Sequence, residues 1–413
     1  MRIALVSMDT RGGIQPYVAL AAGLRRAGHD AWLVAPSDGA AMAAAAGVPV
    51  APLTGSVEAV LRGSGGAAER GTLSAMRFAG AMIRERVLAW AGEALAACAG
   101  AELVTGGVGG MVVALSVAER LGVPFVESHL QPIGAPTSRY PGALFGSTPS
   151  WLGPLGRRAS HALTEAGVWM PFRGAMRAAR EEVLGLRGRP RAADGQPVLY
   201  GFSPRVVPVP AGRGRAREVT GYWTEPTPDA WAPPPALEAF LARGGPVVSI
   251  GFGSMASGDP AALTALVRGA ARDAGVRAVL LAGWGGLAAE GDDGEVLGVE
   301  ALPHEWLFPR VAAAVHHGGA GTTGAALRAG VPAVVVPFAM DQPFWAGRVA
   351  ALGVGPAPIA RARLTRAALG DALRQAVGNE AMRARAATLG AALRTEDGVG
   401  RAVACFEAAH VAR

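Results

Sequence analysis

Val315-His316-His317-Gly318-Gly319-Ala320-Gly321-Thr322-Thr323 decides how this chain is read. An apolar run at 311–315 leads into it, and Ala325-Ala326-Leu327-Arg328-Ala329 leads out with helical spacing. The order is strand, glycine turn, helix. Gly318, Gly319 and Gly321 permit positive φ and close approach of backbone to a ligand. The first N–H groups of the following helix have no partner inside it and sit at the positive end of its dipole. Such an end binds phosphate readily. Thr322 and Thr323 add hydroxyls, and His317 adds a further donor. One Gly-Gly pair would read as a plain turn beside a core histidine. The length of this run favours a diphosphate site.

A second strand, 331–336, ends in Pro337-Phe338-Ala339-Met340-Asp341-Gln342. With these two motifs the chain resembles the nucleotide-sugar glycosyltransferases of GT-B architecture, in particular sterol and lipid glucosyltransferases and bacterial antibiotic-tailoring enzymes. The resemblance implies an α/β fold of two facing Rossmann-like domains with parallel sheets. It implies that His317, Gly319, Gly321, Thr322 and Ser254 cradle the donor diphosphate. Asp341 and Gln342 would bind sugar hydroxyls. Taken alone, that pair also reads as a helix N-cap.

At 413 residues and 51% hydrophobic content the chain is long enough for two domains with a sizeable core. No apolar run reaches the ~18 residues that span a bilayer. Met1-Arg2-Ile3 enters a strand directly, so a cytoplasmic enzyme is expected. Cys98 and Cys405 suggest neither a disulfide framework nor a zinc site. The basic side chains are all arginine, which excludes Schiff-base, pyridoxal-phosphate and P-loop lysine chemistry. A net charge of +7 spread over scattered arginines reads as a solvated surface, or as attraction to an anionic donor or a lipid surface. No nucleic-acid partner is expected. Peripheral membrane contact stays open, as does monomer against homodimer.

The N-terminal 2–35 region reads as a β-α-β unit, with a turn over 7–15 and Pro16 at a helix start. It lacks G-x-G-x-x-G. Arg11-Gly12-x-x-Gln15-Pro16 resembles the family's opening pattern. Ligands in doubly wound sheets sit beyond the carboxyl ends of strands. Asp9, Thr10, Gly106–Gly109 and His129 are therefore expected around one crevice. The stretch 151–184 carries Trp151, Leu152, Leu155, Trp169, Met170, Phe172 and Met176. It reads as amphipathic helices packed on the domain, as walls of an acceptor pocket, or as a membrane-touching patch. Gly201-Phe202-Ser203-Pro204 and Val219-Thr220-Gly221-Tyr222-Trp223 resemble the sterol glucosyltransferase pattern. Five prolines between 224 and 235 mark a stiff linker. The expected division is 1–223, acceptor-binding; 224–236, linker; 237–396, donor-binding; and 397–413, a helix returning to the first domain. Gly251-Phe252-Gly253-Ser254 begins a weak dinucleotide fingerprint. Family relatives often stack the nucleobase on a Trp near Leu302; here Trp284 is the alternative.

Glycosyl transfer must neutralise the leaving diphosphate, orient the sugar and remove the acceptor proton. Helix N–H donors meet the first need without metal. No metal-ligand spacing occurs, and no cofactor beyond the nucleotide-sugar co-substrate is expected. The third need exposes a departure. Relatives carry Asp or His directly after Arg-Gly, whereas this chain has Gly13. Asp9 and His129 are the candidate bases, with Asp9 slightly ahead and Asp341 a further option. An Asp introduced at 13 is expected to restore part of the activity of an Asp9→Ala variant. The expected activity is inverting transfer of a hexose or deoxyhexose from a UDP- or dTDP-sugar to a hydrophobic natural product or lipid. A non-catalytic helper protein and a nucleotide-sugar epimerase are the competing readings.

Overall fold

The computed structural model describes residues 1–56, 86–190, 196–210, 216–224, 231–253, 259–283, 287 and 291–411. Ser254, Trp284 and linker residues 225–230 lie outside the described residues. Two parallel sheets organise the chain. The first contains β1 (Arg2–Val6), β2 (Asp30–Pro36), β3 (Val50–Leu53), β4 (Leu103–Gly106), β5 (Phe125–His129), β6 (Val198–Tyr200) and β7 (Arg217–Val219), ordered 3-2-1-4-5-6-7. The second contains β8 (Val247–Gly251), β9 (Arg277–Leu281), β10 (Val296–Val299), β11 (Ala313–His316) and β12 (Ala333–Val335), ordered 10-9-8-11-12. Helices cover such sheets on both faces, so the strands are continuously apolar. Ile3, Ala4, Leu5 and Val6 are all fully buried. Strand order reverses between β1 and β4 and again between β8 and β11. Each reversal opens a crevice beyond the carboxyl ends of its strands.

Helix α1 (Arg11–Arg26) starts earlier than its sequence suggests, at Arg11 rather than at Pro16. Proline inside a helix removes one hydrogen bond and crowds the carbonyl four residues back. Here that residue is Gly12, in the first turn of the helix. The cost is confined to the first turns. The freed Gly12 carbonyl stays available at the domain boundary.

The halves are tied at several places, two of them at the return crossing. Helix α6 (Gly398–Val411) returns to the first domain, where Ala402, Val403, Phe406 and Ala409 join the cluster of Ile3, Leu5 and α1. Before it, Glu396 accepts from the Ser203 hydroxyl at 2.8 Å and pairs with Arg205 at 3.5 Å. The Gly201–Pro204 and Val219–Trp223 motifs thus serve the crossover. Gly221 has φ 109°, and Gly398 packs against its backbone.

Helix α3 (Gly153–Trp169) is turned against its expected amphipathicity. Ser160, His161 and Thr164 face inward and bond the loop beneath: Ser160 accepts from the Gly142 N–H at 2.8 Å, and His161 Nε2 lies 3.2 Å from the Tyr140 carbonyl. Trp151, Leu155, Leu163 and Met170 are exposed, Trp151 at 82%. Those apolar residues do not pack onto the domain. Loop polar groups took the inner face because a buried backbone needs partners. Among the described residues no helix is long and apolar enough to cross a membrane.

Phe406 is fully buried where α6 meets the first sheet's helices. Phe406→Ala is expected to destabilise the protein by about 3–5 kcal/mol, read by urea denaturation.

Candidate active site

Strand β11 ends at His316, the chain turns at Gly318, and α4 (Ala320–Ala329) begins. Gly318 has φ 92°, in the left-handed region, and a Cβ there would sit 2.8 Å from Val335 Cγ1. His316 Nδ1 accepts from the Gly318 N–H at 3.0 Å and fixes the turn. His317 lies between two glycines. A Cβ at Gly253 would come 2.9 Å from its Cε1, and one at Gly319 2.5 Å from its Nε2. Burial pushes His316 down to about 3 and His317 to about 4. Both rings are neutral at pH 7, with one donor and one acceptor nitrogen each. His317 Nδ1 and Thr323 Oγ1 are buried without a hydrogen-bond partner among the described residues. Buried polar atoms are normally satisfied, so two orphans at one helix start call for a bound group. Helix α4 has Gly319 at its N-cap, no side-chain cap and no acid in its first turn. The N–H groups of Ala320, Gly321 and Thr322 are therefore open.

Beyond β12 the chain reaches Met340 with φ 59°, the sole non-glycine positive φ among the described residues. Such strain persists where surrounding structure enforces it, commonly at functional loops. Gln342 opens α5 (Gln342–Ala351) and provides part of that enforcement. It is 4% exposed, and its Oε1 accepts from the N–H groups of Phe338 at 2.7 Å and Ala339 at 3.1 Å. The amide oxygen of Gln342 thus shapes the loop, and of the pair Asp341 is the more open. Asp341 Oδ2 accepts from Trp345 Nε1 at 2.9 Å, and the Gln131 side chain of the first domain bonds the same carboxylate. Burial raises its pKa against both bonds.

The first domain presents the Asp9 loop. Asp9 follows β1 at the first switch point, partly exposed, with Ser7 Oγ donating to Oδ2 at 3.2 Å. Burial, opposed by that bond and assisted by the charge of Asp341, pushes Asp9 up to about 6. The two carboxylates therefore sense each other, one from each domain. Next to Asp9, the Gly12 carbonyl lies 3.5 Å from where a Gly321 Cβ would stand. The charge of Arg11 is felt by His304 and Glu305. The start of α1 thus faces the start of α4.

Two other expectations are corrected. His129 is 1% exposed; its Nε2 is 3.2 Å from Glu127 Oε2, and its ring lies 5.9 Å from Tyr200. It is an interior residue of the first domain and does not open on the cleft as a base would. The Leu302 side chain is 6% exposed and belongs to the core, leaving no face for a nucleobase. Sequence reasoning missed Ser7, Gly253 and Gln131. Gly253 was visible within Gly251-Phe252-Gly253, but the ring it accommodates lies 64 residues on. No group of three or more His, Cys, Asp or Glu able to hold a metal ion occurs among the described residues.

Asp9 has a folded pKa of about 6, above its ordinary 3.8, so the native state binds its proton more tightly than the unfolded chain does. Its ionised form lowers stability, and that penalty grows as pH rises through about 6. Asp9→Asn is expected to raise Tm at pH 7.5, with the difference closing towards pH 4, as read by calorimetric scans.

Residues 292–397 match the family described as erythromycin biosynthesis protein CIII-like, C-terminal domain. A sterol 3-beta-glucosyltransferase of Neosartorya fischeri is 34% identical over 98% of this chain. The chain spans 29% of the length of that relative. Among solved structures, the Streptomyces sp. SF2575 glycosyltransferase SsfS6 complexed with thymidine diphosphate aligns with TM-score 0.65 and 20% identity, over 98% of this chain and 99% of its own. The glycosyltransferase SnogD from Streptomyces nogalater aligns with TM-score 0.65 and 23% identity, over 99% of both chains. With its two parallel sheets, open α4 start and facing Asp9 loop, the chain has the GT-B fold of these solved structures throughout, and its segment 292–397 is similar to the erythromycin biosynthesis protein CIII-like C-terminal domain.

Proposed function

We propose that this protein is an inverting, metal-independent glycosyltransferase. It moves a hexose or deoxyhexose from a UDP- or dTDP-sugar to a hydrophobic natural-product, sterol-like or lipid alcohol. The observation that carries this reading is the uncapped α4 start, with the orphaned Nδ1 of His317 and Oγ1 of Thr323, set opposite the Asp9 loop. The diphosphate takes the open N–H groups of Ala320, Gly321 and Thr322 and the N–H of neutral His317. Charge forming on the leaving group meets donors already in place. Ser254 is a further phosphate ligand in this reading. Asp341 holds sugar hydroxyls through the acceptor sites that Trp345 and Gln131 leave free. The acceptor enters from the first domain and the diphosphate departs into the second. Attack and departure on opposite faces of the anomeric carbon invert it. The thymidine diphosphate complex of SsfS6 supports a dTDP- or UDP-linked donor.

Isothermal titration with UDP and dTDP, followed by turnover with their glucose conjugates, tests the reading. His317→Ala is expected to weaken binding of the free diphosphate by about 1.5–3 kcal/mol. Because His317 is neutral above about 4, the wild-type contribution of that residue should be flat between pH 6 and 8. Asp341→Asn should cut turnover while leaving free diphosphate affinity nearly intact. Equal loss of both would make Asp341 a structural residue.

Peripheral membrane contact belongs to the same proposal. Its support is the outward face of α3 and the turns on either side of it, where Trp151, Leu155 and Met170 lie exposed with Arg158 and Arg173. Cosedimentation with phosphatidylglycerol vesicles should occur and should weaken in Leu155→Ser. Identical pelleting of the two proteins would remove α3 from that role.

A further inference from the structure

Position 13 holds glycine because its space is taken. A Cβ built at Gly13 would overlap the Asp9 Cβ and lie 2.7 Å from Asp9 Cγ. A Cβ at Gly109, in the first turn of α2 (Val108–Leu121), would lie 2.6 Å from Asp9 Oδ2 and 2.7 Å from its Oδ1. These separations are closer than real Cβ atoms come to neighbouring atoms. A side chain at 13 or at 109 would displace Asp9 from the place it holds. The end of β1 and the first turn of α1 are two routes into one volume of the cleft, and here the route from β1 is used.

We propose that the proton-accepting carboxylate has been transposed: Asp9 supplies from the end of β1 the group that a residue at 13 would supply from α1, and Gly13 and Gly109 are the accommodation for it. The inference rests on the glycosyl-transfer reading. In the step, the acceptor hydroxyl oxygen bonds the anomeric carbon as the bond from that carbon to the diphosphate oxygen breaks. The electron pair of the broken bond leaves with the diphosphate. The hydroxyl proton passes to Asp9. Ser7 holds Oδ2, which leaves Oδ1 to accept it. A carboxylate partly removed from water, and faced by Asp341, is a stronger base than a solvated one yet is ionised at pH 7.

Transposition also corrects the rescue expected from sequence. In Asp9→Ala the Cβ at 9 remains, and it is that atom which a side chain at 13 would overlap. Only glycine at 9 makes room. Asp9→Gly combined with Gly13→Asp is therefore the exchange that restores function. Gly13→Asp alone inserts a second carboxylate into an occupied space and lowers activity.

The test compares wild type, Asp9→Asn, Asp9→Gly, Gly13→Asp and the double exchange as full chains. Saturating UDP-glucose or dTDP-glucose is supplied, with transfer followed to ergosterol, to 4-nitrophenol and to water. Free UDP and dTDP affinity is measured on each protein. Asp9→Asn should lose about 10²-fold or more with ergosterol and water, and remove the rise of rate through pH 6. Its loss should be far smaller with 4-nitrophenol, which is largely ionised before it binds. Its diphosphate affinity should be unchanged. The double exchange should exceed Asp9→Gly by about tenfold or more. Wild-type rates in Asp9→Asn, equal losses with all three acceptors, or a double exchange that binds diphosphate yet gains nothing over Asp9→Gly would each overturn the transposition. A wild type that binds diphosphate but turns over neither donor with any acceptor would overturn the glycosyl-transfer reading beneath it, and the transposition with it.

Discussion

The cleft exists because the chain crosses between its two sheets twice, and the second crossing is fixed by burial. Helix α6 leaves the second half and buries Ala402, Val403, Phe406 and Ala409 against α1 and its sheet. Apolar area removed from water is non-directional, so it cannot by itself set an angle between domains. The polar contacts next to it supply direction. Glu396 bonds Ser203 and Arg205, and Gly398 lies against Gly221 where no side chain would fit. A third contact sits on the far side of the cleft, where a Cβ at Gly347 would come 2.5 Å from the Gly146 carbonyl. Together these place the carboxyl ends of β1 and β4 opposite those of β8 and β11.

Facing ends of two doubly wound sheets would present two similar helix starts, and the chain makes them chemically different. Helix α4 begins with glycines, open N–H groups and a neutral histidine, all suited to an anion. The first domain sets Asp9 before α1, and Asp341 joins it from the other side. A negative group and an anion-binding end within one cleft are opposed in their effect on charge. An arriving anion meets the N–H groups, while carboxylates near it keep their protons more firmly. Burial acts in the same sense on all of them: it neutralises His316 and His317 and raises Asp9 and Asp341.

Eight of the twelve strands were legible because parallel strands buried on both faces read as apolar runs with sharp ends; β3, β6, β7 and β10, three or four residues each, did not stand out. Both motifs after β11 and β12 were legible for the same reason, since each hangs on such an end. The start of α1 was not legible: proline predicts a first-turn position, whereas the helix begins five residues earlier, at Arg11. That the Gln342 amide oxygen braces the loop was not legible, because an exposed amide and a loop-bracing amide have the same spelling. His129 lies at a strand end, as a crevice residue should, but its ring turns to Glu127 and Tyr200. At α3 the sequence left three readings open, and the inner face follows the hydrogen-bonding needs of the loop at Tyr140 and Gly142 rather than hydrophobicity.

Glycines carry a different kind of information, since each records a volume that something else fills. Gly253 and Gly319 are separated by 66 residues and share one meaning, the ring of His317. Gly324 leaves room for the ring of Tyr222, 2.5 Å from where its Cβ would stand, and so sets how closely α4 approaches the crossover strand. Glycine costs roughly 0.5–1 kcal/mol relative to alanine inside a helix. Gly324 and Gly13 both accept that cost within regular helix, α4 and α1 respectively. In each the compensation is a side chain from a distant or preceding element that could not otherwise reach the cleft. The missing residue at 13 is thus readable as a missing residue only in one dimension; in three, the position is full.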